Sequence, residues 1–208
     1  ITDDGQYHAW TEINVPQRPF EIENVDTVTV PLAQSGYTTE YLRYRITIND
    51  RPNETNYYRI VIDKQTTLWG YNHEEGGDDY IYWTKHSYNF IGREDVVLTD
   101  GQPTTGDDED NGLFDTAKNI YGVFDDTRFR NTSYTMTVYN NTKIETGSDS
   151  GYFSGMDVII RLMSITETEY YYLKALNLVD SDAYDETINE PIKYPSNVHG
   201  GTGMVGIS

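Results

Sequence analysis

The chain has 208 residues, no cysteine and a formal net charge of −19, with 15 lysines and arginines against 34 aspartates and glutamates. This balance argues against a nucleic-acid-binding protein and against electrostatic docking on anionic lipid, because both require clustered lysine and arginine. The lack of cysteine excludes a disulfide scaffold, a thiolate zinc site and a cysteine nucleophile in this chain. The sequence contains no run of about 18 apolar residues, so no transmembrane helix is predicted.

The opening segment alternates in polarity with a period of two residues from Tyr7 to Asn14, and Pro16 and Pro19 then stop the pattern. This period predicts a β-strand. Because a strand so early in the chain needs a partner, we expect this sequence to be the remainder of a longer chain. An ordinary N-terminal strand of the main domain is the alternative.

The residues that follow are typical of an antiparallel β structure. Residues 25–32 alternate and are rich in β-branched side chains. Two further alternating runs, 41–48 and 56–62, flank the polar turn 49–54, which predicts an antiparallel hairpin. Additional strands are predicted at 80–83, 95–98, 133–139 and 157–163.

Aromatic residues are concentrated between positions 69 and 83 of a chain that contains 19 tyrosines and three tryptophans. Rings with a polar edge bind sugars and peptides well. We therefore take this cluster as the candidate contact site for a ligand or partner. The alternative is that the rings fill half-buried sheet positions. The five residues of the cluster are Trp69, Tyr71, Tyr80, Tyr82 and Trp83.

An acidic stretch at residues 107–115 partly matches a calcium loop, with oxygen ligands at alternate positions and a glycine for the turn. Its candidate ligands are Asp107, Glu109, Asn111 and Asp115. The twelfth position is Lys118, where a bidentate glutamate is expected, so we interpret the stretch as a solvated acidic loop. The four histidines are not at ligand spacing, and we expect neither a metal site nor a cofactor.

One segment predicts a helix. Ser164 with Glu167, and Thr166 with Glu169, form two overlapping capping boxes. Apolar residues follow at helical spacing. We predict one short α-helix near residues 165–178, broken by Asn177 and by Asp180 to Asp182.

Many short strands without strand–helix alternation predict a mainly β fold, an antiparallel β-sandwich. The residues predicted to form its core are Leu42, Tyr44, Ile46, Ile60, Ile62, Val138, Ile159, Leu173 and Leu176. No nucleophile elbow or phosphate-binding glycine loop is present, so we expect no enzyme. A hydrolase with two carboxyl groups about 5–10 Å apart in a cleft stays open as an alternative.

Five blocks occur in an order that resembles a known family. They lie at residues 15–22, 48–59, 121–129, 158–176 and 190–206, and include Asp50, Asn56 and the pair Asp125-Asp126. The resemblance is to the domain-of-unknown-function family 4249 of Bacteroidota and spans nearly the whole chain. The sequence departs from the family in the acidic insertion at 107–111 and in lacking the usual N-terminal half.

This resemblance implies an exported outer-membrane lipoprotein with an immunoglobulin-like β-sandwich and a lipidated cysteine upstream of residue 1. Residues 1–16 are then the last strand of a preceding, mostly absent β domain, and residues 17–208 form the sandwich. Members often sit beside TonB-dependent transporters and their substrate-binding lipoproteins. The resemblance therefore implies a non-enzymatic accessory subunit of a nutrient uptake complex at the cell surface, in contact with the membrane only through its lipid anchor. The alternative is a free-standing surface module that binds a glycan or a peptide.

Overall fold

The computed structural model describes residues 8–34, 37–71, 80–90, 92, 95–101, 119–141, 152–180 and 192–207. Within these ranges the fold is mainly β with one helix, as the sequence predicts. The elements are β1 (Asn24–Gln34), β2 (Tyr37–Asn49), β3 (Tyr57–Tyr71), β4 (Tyr80–Ser87), β5 (Val123–Asp125), β6 (Ser133–Asn141), β7 (Tyr152–Ile165) and α1 (Glu167–Val179). No helix in this part of the chain has the length and apolar character required to cross a membrane.

The strands form two antiparallel sheets. The first sheet has the order β1-β2-β6. The second is built around the 15-residue strand β3. Strand β7 pairs with most of one edge of β3, and β4 and β5 pair with successive parts of the other edge. Both edges of β3 are therefore occupied, which makes it the centre of the second sheet.

The main core lies between the two sheets. Alternate side chains of β2 and β3 point into it, as the period of a strand requires. Tyr44, Ile46, Ile60 and Ile62 are all at most 3% exposed and belong to one buried cluster, together with Val138 of β6. Burial of each large apolar side chain stabilises the fold by about 1.5–3 kcal/mol, so this layer confirms the predicted sandwich.

The other predicted core residues differ in their burial. Leu42 is partly buried and packs against the main core. Leu173 of α1 belongs to a second cluster with Val123 and Ile165, and Leu176 packs against that cluster. The prediction for Ile159 is wrong, because it is 37% exposed. Ile159 pairs with Asp63, whereas its neighbour Ile160 pairs with the buried Ile62 and packs against the core.

The predicted hairpin between 41–48 and 56–62 is wrong, because β2 and β3 belong to different sheets. Residues 50–56 cross from one sheet to the other, and a polar network holds them. Asp50 accepts hydrogen bonds from the Tyr58 hydroxyl at 3.0 Å and from the backbone N–H of Asn131 at 2.8 Å. Both strands place alternate apolar residues in the same core. A crossover between two sheets therefore has the same sequence pattern as a hairpin within one sheet.

The predicted strand at residues 95–98 is also wrong. These residues form a turn, because the Asp95 carboxylate accepts hydrogen bonds from the backbone N–H groups of Val97 and Leu98 at 3.0 and 3.2 Å.

Residues 8–22 belong to neither sheet, and an isolated antiparallel bridge joins Trp10 to His199. The assignment of residues 1–16 to the last strand of a preceding β domain stays a prediction.

Helix α1 begins at the second predicted capping box. Thr166 is the N-cap and its hydroxyl accepts a hydrogen bond from the N–H of Glu169 at 3.2 Å. The predicted break at Asn177 is wrong, since the helix continues to Val179. The buried Asn177 side chain donates to Asn119 Oδ1 at 3.0 Å and accepts from the N–H of Tyr121 at 3.1 Å, so it connects the helix to the loop before β5.

Candidate functional site

Helix α1 covers one end of the second sheet, on the side that faces away from the main core. The ring centroid of Tyr57, at the start of β3, lies 4.9 Å from that of Tyr170 in α1. Toward the other end of β3, solvent-facing side chains of three strands lie side by side. We call the outward positions of residues 63–69, 82–86 and 152–161 the outer face.

An aromatic row crosses the outer face. Trp69 of β3 pairs with Tyr82 of β4 on one side and with Tyr152 of β7 on the other. The rings of Trp69 and Tyr152 stack with centroids 4.8 Å apart and planes 28° from parallel. Tyr82 is 66% exposed and Tyr152 is 60% exposed. The row therefore presents large aromatic surfaces to solvent.

The aromatic residues singled out in the sequence divide between the two sides of the sheet. Trp69 and Tyr82 belong to the aromatic row. Trp83 pairs with the buried Leu68, and its ring lies against Gly70, where an added Cβ would be 3.3 Å from ring atoms. Tyr71 and Tyr80 are register partners at the end of the β3–β4 ladder, and their side chains lie outside the described part of the structure.

A polar cluster lies on the same outer face, centred on Asp63. The Asp63 carboxylate accepts a hydrogen bond from Gln65 Nε2 at 2.8 Å and contacts His86 Nδ1 at 2.9 Å, and Arg161 Nη1 lies 3.7 Å away. These neighbours leave Asp63 only 2% exposed, although it lies on the solvent-facing side of the sheet. His86 and Arg161 remain half-exposed at the surface.

The electrostatics of this cluster fix the orientation of His86. Burial opposes ionisation of Asp63, but the hydrogen bonds from Gln65 and His86 and the charges of His86 and Arg161 outweigh it and lower its pKa. An ionised carboxylate only accepts hydrogen bonds. His86 therefore donates through Nδ1, and its Nε2 is the nitrogen left to meet a ligand.

Sequence reasoning missed Tyr152, Asp63, Gln65, His86 and Arg161 as members of one site. Because side chains along β3 point alternately to its two faces, the sequence spacing indicates that Asp63, Gln65 and Trp69 lie on one face. Their alignment with Tyr152 and Arg161 depends on the long-range register of β3 with β7, which includes a shift between Thr67 and Leu68. A local pattern contains no information about that register.

No group of three or more histidine, aspartate or glutamate side chains among the described residues is arranged to hold a metal ion. The weak calcium candidates Asp107, Glu109, Asn111 and Asp115 lie outside the described residues. Their interpretation as a solvated acidic loop stays a prediction.

A separate groove of about 300 Å³ lies between residues 16–22 and residues 162–164 of β7. It is lined by the apolar side chains of Pro16, Pro19, Phe20, Ile22 and Leu162, and Arg18 and Glu21 also line it. None of the residues predicted to bind a ligand lines this groove.

The second and third blocks singled out in the sequence meet at one end of the sandwich. The buried Asp126 accepts hydrogen bonds from the backbone N–H of Asn56 at 2.9 Å and from Arg130 Nη2 at 3.0 Å. Gly122 has φ +65°, and a Cβ there would lie 2.2 Å from the carbonyl oxygen of Ile60, so only glycine fits this close approach. These block residues therefore hold the fold together, and the outer face is formed largely by other residues.

Comparison with known proteins agrees with the resemblance. Comparison with curated proteins and with solved structures finds no significant match. The family described as "Domain of unknown function (DUF4249)" matches residues 1–208, the full length of the sequence. The chain therefore belongs to the DUF4249 family.

Proposed function

We propose that this protein is a non-enzymatic, lipid-anchored protein of the cell surface and an accessory subunit of an outer-membrane TonB-dependent nutrient uptake complex. Membership of the DUF4249 family supports this role, because the family resemblance implies an association with TonB-dependent transporters and their substrate-binding lipoproteins. In this proposal the sandwich is a rigid support for recognition, and the outer face is the recognition surface.

The observation that carries the proposal is the row Tyr82–Trp69–Tyr152, in which a partly buried tryptophan lies between two mostly exposed tyrosines. Contiguous apolar surface on a soluble domain commonly marks an interaction site. Tyrosine and tryptophan bury large areas with little loss of side-chain entropy, and they are enriched among the residues that dominate binding energy. A row supported by a three-stranded layer keeps its geometry before the partner arrives, which lowers the entropic cost of binding.

Co-purification from native membranes tests this role. The full-length tagged protein is extracted in mild detergent and its partners are identified by mass spectrometry, with an unrelated tagged outer-membrane lipoprotein as the control. We expect a TonB-dependent barrel and its substrate-binding lipoprotein to be enriched with this protein only. A protein recovered without partners contradicts the proposal.

The second candidate function is a free-standing surface module that binds a glycan or a peptide. The specific observation in its favour is the cluster of Asp63, Gln65, His86 and Arg161 on the same face as the aromatic row. Aromatic rings beside oriented polar groups suit a ligand with both apolar faces and hydrogen-bonding groups. Ligand binding by the isolated protein, combined with a solitary protein in membranes, would favour this candidate.

A further inference from the structure

We propose that the outer face binds an uncharged glycan chain, which lies along β3 with sugar rings against Trp69 and Tyr152 and hydroxyl groups near His86. This inference rests on the proposed role in recognition at the cell surface, and it specifies the class of ligand.

The shape of the outer face favours an extended ligand. From Asp63 to Trp69 the face follows seven residues of β3, whose six steps correspond to about 20 Å at the rise of a β-strand. Tyr82 and Tyr152 are mostly exposed, so the aromatic row is an open platform. Small ligands usually bind in concave pockets that bury most of their surface, whereas a chain molecule gains contact area by lying along an open face.

The surface beside the aromatic row leaves room for a bulky ring. The next row along β3 consists of Thr84, Thr67 and Gly155, which are register neighbours. A Cβ added at Gly155 would have no neighbouring heavy atom within 4 Å. The rings of Trp69 and Tyr152 therefore stand next to a row of small side chains, over which the substituents of a stacked sugar can extend.

The far end of the face supplies hydrogen-bonding groups that are held in place before the ligand binds. His86 is oriented by Asp63 at 2.9 Å, and Gln65 by the same carboxylate at 2.8 Å. Arg161 lies at the surface beside them. Groups that are already fixed lose little conformational freedom on binding, and they match the donors and acceptors of sugar hydroxyls.

Charge and backbone pairing favour a neutral glycan over other chain molecules. Among the described outward positions of the face, the charged side chains are Asp63, Asp157 and Arg161, so the face is nearly neutral within a chain of net charge −19. A nucleic acid needs lysine and arginine for its phosphates. An extended peptide usually adds as a strand to a free sheet edge, whereas the aromatic row is centred on β3, which is paired on both sides at Trp69.

An array of immobilised neutral glycans, acidic glycans and peptides, probed with the labelled protein, tests the ligand class. We expect binding to at least one neutral glycan. Binding to no neutral glycan, or only to acidic glycans or peptides, overturns the proposal. Isothermal calorimetry with the bound glycan in solution then gives the dissociation constant that is used for the variants.

Three variants test the location of the site. Trp69→Ala removes the stacking platform and His86→Ala removes the oriented polar group, and each is expected to weaken binding about tenfold or more. Gly155→Tyr fills the open row and is expected to abolish binding while keeping the fold, because the position is unobstructed and tyrosine suits a strand. The control is Trp10→Ala, which removes an exposed tryptophan that stacks on His199 and belongs to none of the strands of the outer face.

Thermal melts show which variants are folded. If Trp69→Ala does not fold, the affinity of Gly155→Tyr for the glycan tests the location of the site. Unchanged affinity in folded Gly155→Tyr overturns the proposed site. The glycan array uses the purified protein alone, so its failure is distinguishable from failure of the membrane co-purification. If Trp69→Ala abolishes co-purification while the array stays empty, the outer face is a protein contact and the glycan inference is wrong.

Discussion

The carboxylate of Asp126 is fully buried and accepts hydrogen bonds from the backbone N–H of Asn56 and from Arg130. Asp126→Ala leaves the partly buried backbone N–H of Asn56 without its acceptor, whereas the half-exposed Arg130 can turn to water. A buried donor without a partner costs about 1–3 kcal/mol. We therefore expect the free energy of unfolding to fall by about 2 kcal/mol in urea titrations followed by tryptophan fluorescence.

The matched control for Asp126 is Glu12→Ala, which removes an exposed carboxylate. Surface changes of this kind usually alter stability by less than about 0.5 kcal/mol. Equal stability of Asp126→Ala and Glu12→Ala would show that the network between residues 56 and 126 does not hold the crossover in place. The sequence singled out Asp126 by resemblance alone, since only the folded chain brings it to Asn56.

Helix α1 shows how tertiary contacts override helix propensity. Alanine is a better helix former than asparagine by several tenths of a kcal/mol, so propensity predicts that Asn177→Ala is stabilising. In the fold this change leaves the Tyr121 N–H without its acceptor. It also removes one of two donors to Asn119 Oδ1, which keeps the hydrogen bond from the N–H of Val123. We expect Asn177→Ala to lower the free energy of unfolding by about 2 kcal/mol, measured by urea denaturation.

Thr168→Ala is the control for this prediction, because it introduces the same residue in the first turn of the same helix. Its effect should stay within about 0.5 kcal/mol. A more stable Asn177→Ala protein would mean that propensity dominates and that the contact with the loop before β5 contributes little.

Local patterns predicted the elements of this fold better than their connections. The capping box at Thr166 and Glu169 located the start of α1 because both partners are near in sequence. In contrast, the pairing of β2 with β6 and of β3 with β7 depends on which strand faces pack together in the core. The alternation of Tyr44, Ile46, Ile60 and Ile62 is the same for a hairpin and for two strands that face each other across a sandwich.

At the scale of the molecule, the candidate site was predictable only in part. Trp69 and Tyr82 come from neighbouring segments, and their aromatic character is visible in the sequence. Tyr152 and Arg161 reach the same face through the register of β7 on β3, and α1 leaves that part of the face open. The outer face is therefore a property of the assembled sheet, and no single segment contains it.

The abundance of tyrosine also has a structural use at this scale, because several tyrosine hydroxyls donate hydrogen bonds to carboxylates, and three of these pairs involve tyrosines that pack in the two apolar clusters. The pairs are Tyr58 with Asp50, Tyr134 with Asp95, and Tyr170 with Asp125, at 3.0, 3.0 and 3.2 Å. Burial and the adjacent carboxylate raise the pKa of each hydroxyl above its ordinary value of 10.0. Each pair therefore stabilises the protonated form of its tyrosine in the folded state.

The sign of this shift predicts loss of stability in alkali. Below pH 10 these tyrosines are protonated in both states, and their stabilising contribution is complete. As the pH rises past about 10, the unfolded chain loses protons that the folded chain keeps, so the free energy of unfolding falls by up to about 1.4 kcal/mol per pH unit and tyrosine.

Urea titrations over this alkaline range measure the slope, and the absorbance of tyrosinate reports ionisation. We expect Tyr134→Phe to reduce the slope by about the contribution of one tyrosine. Tyr82→Phe is the control and should leave the slope unchanged, because the Tyr82 side chain is 66% exposed and is therefore solvated in both states. If Tyr58, Tyr134 and Tyr170 ionised near pH 10 while the protein stayed folded, their carboxylate pairs would not exist in solution.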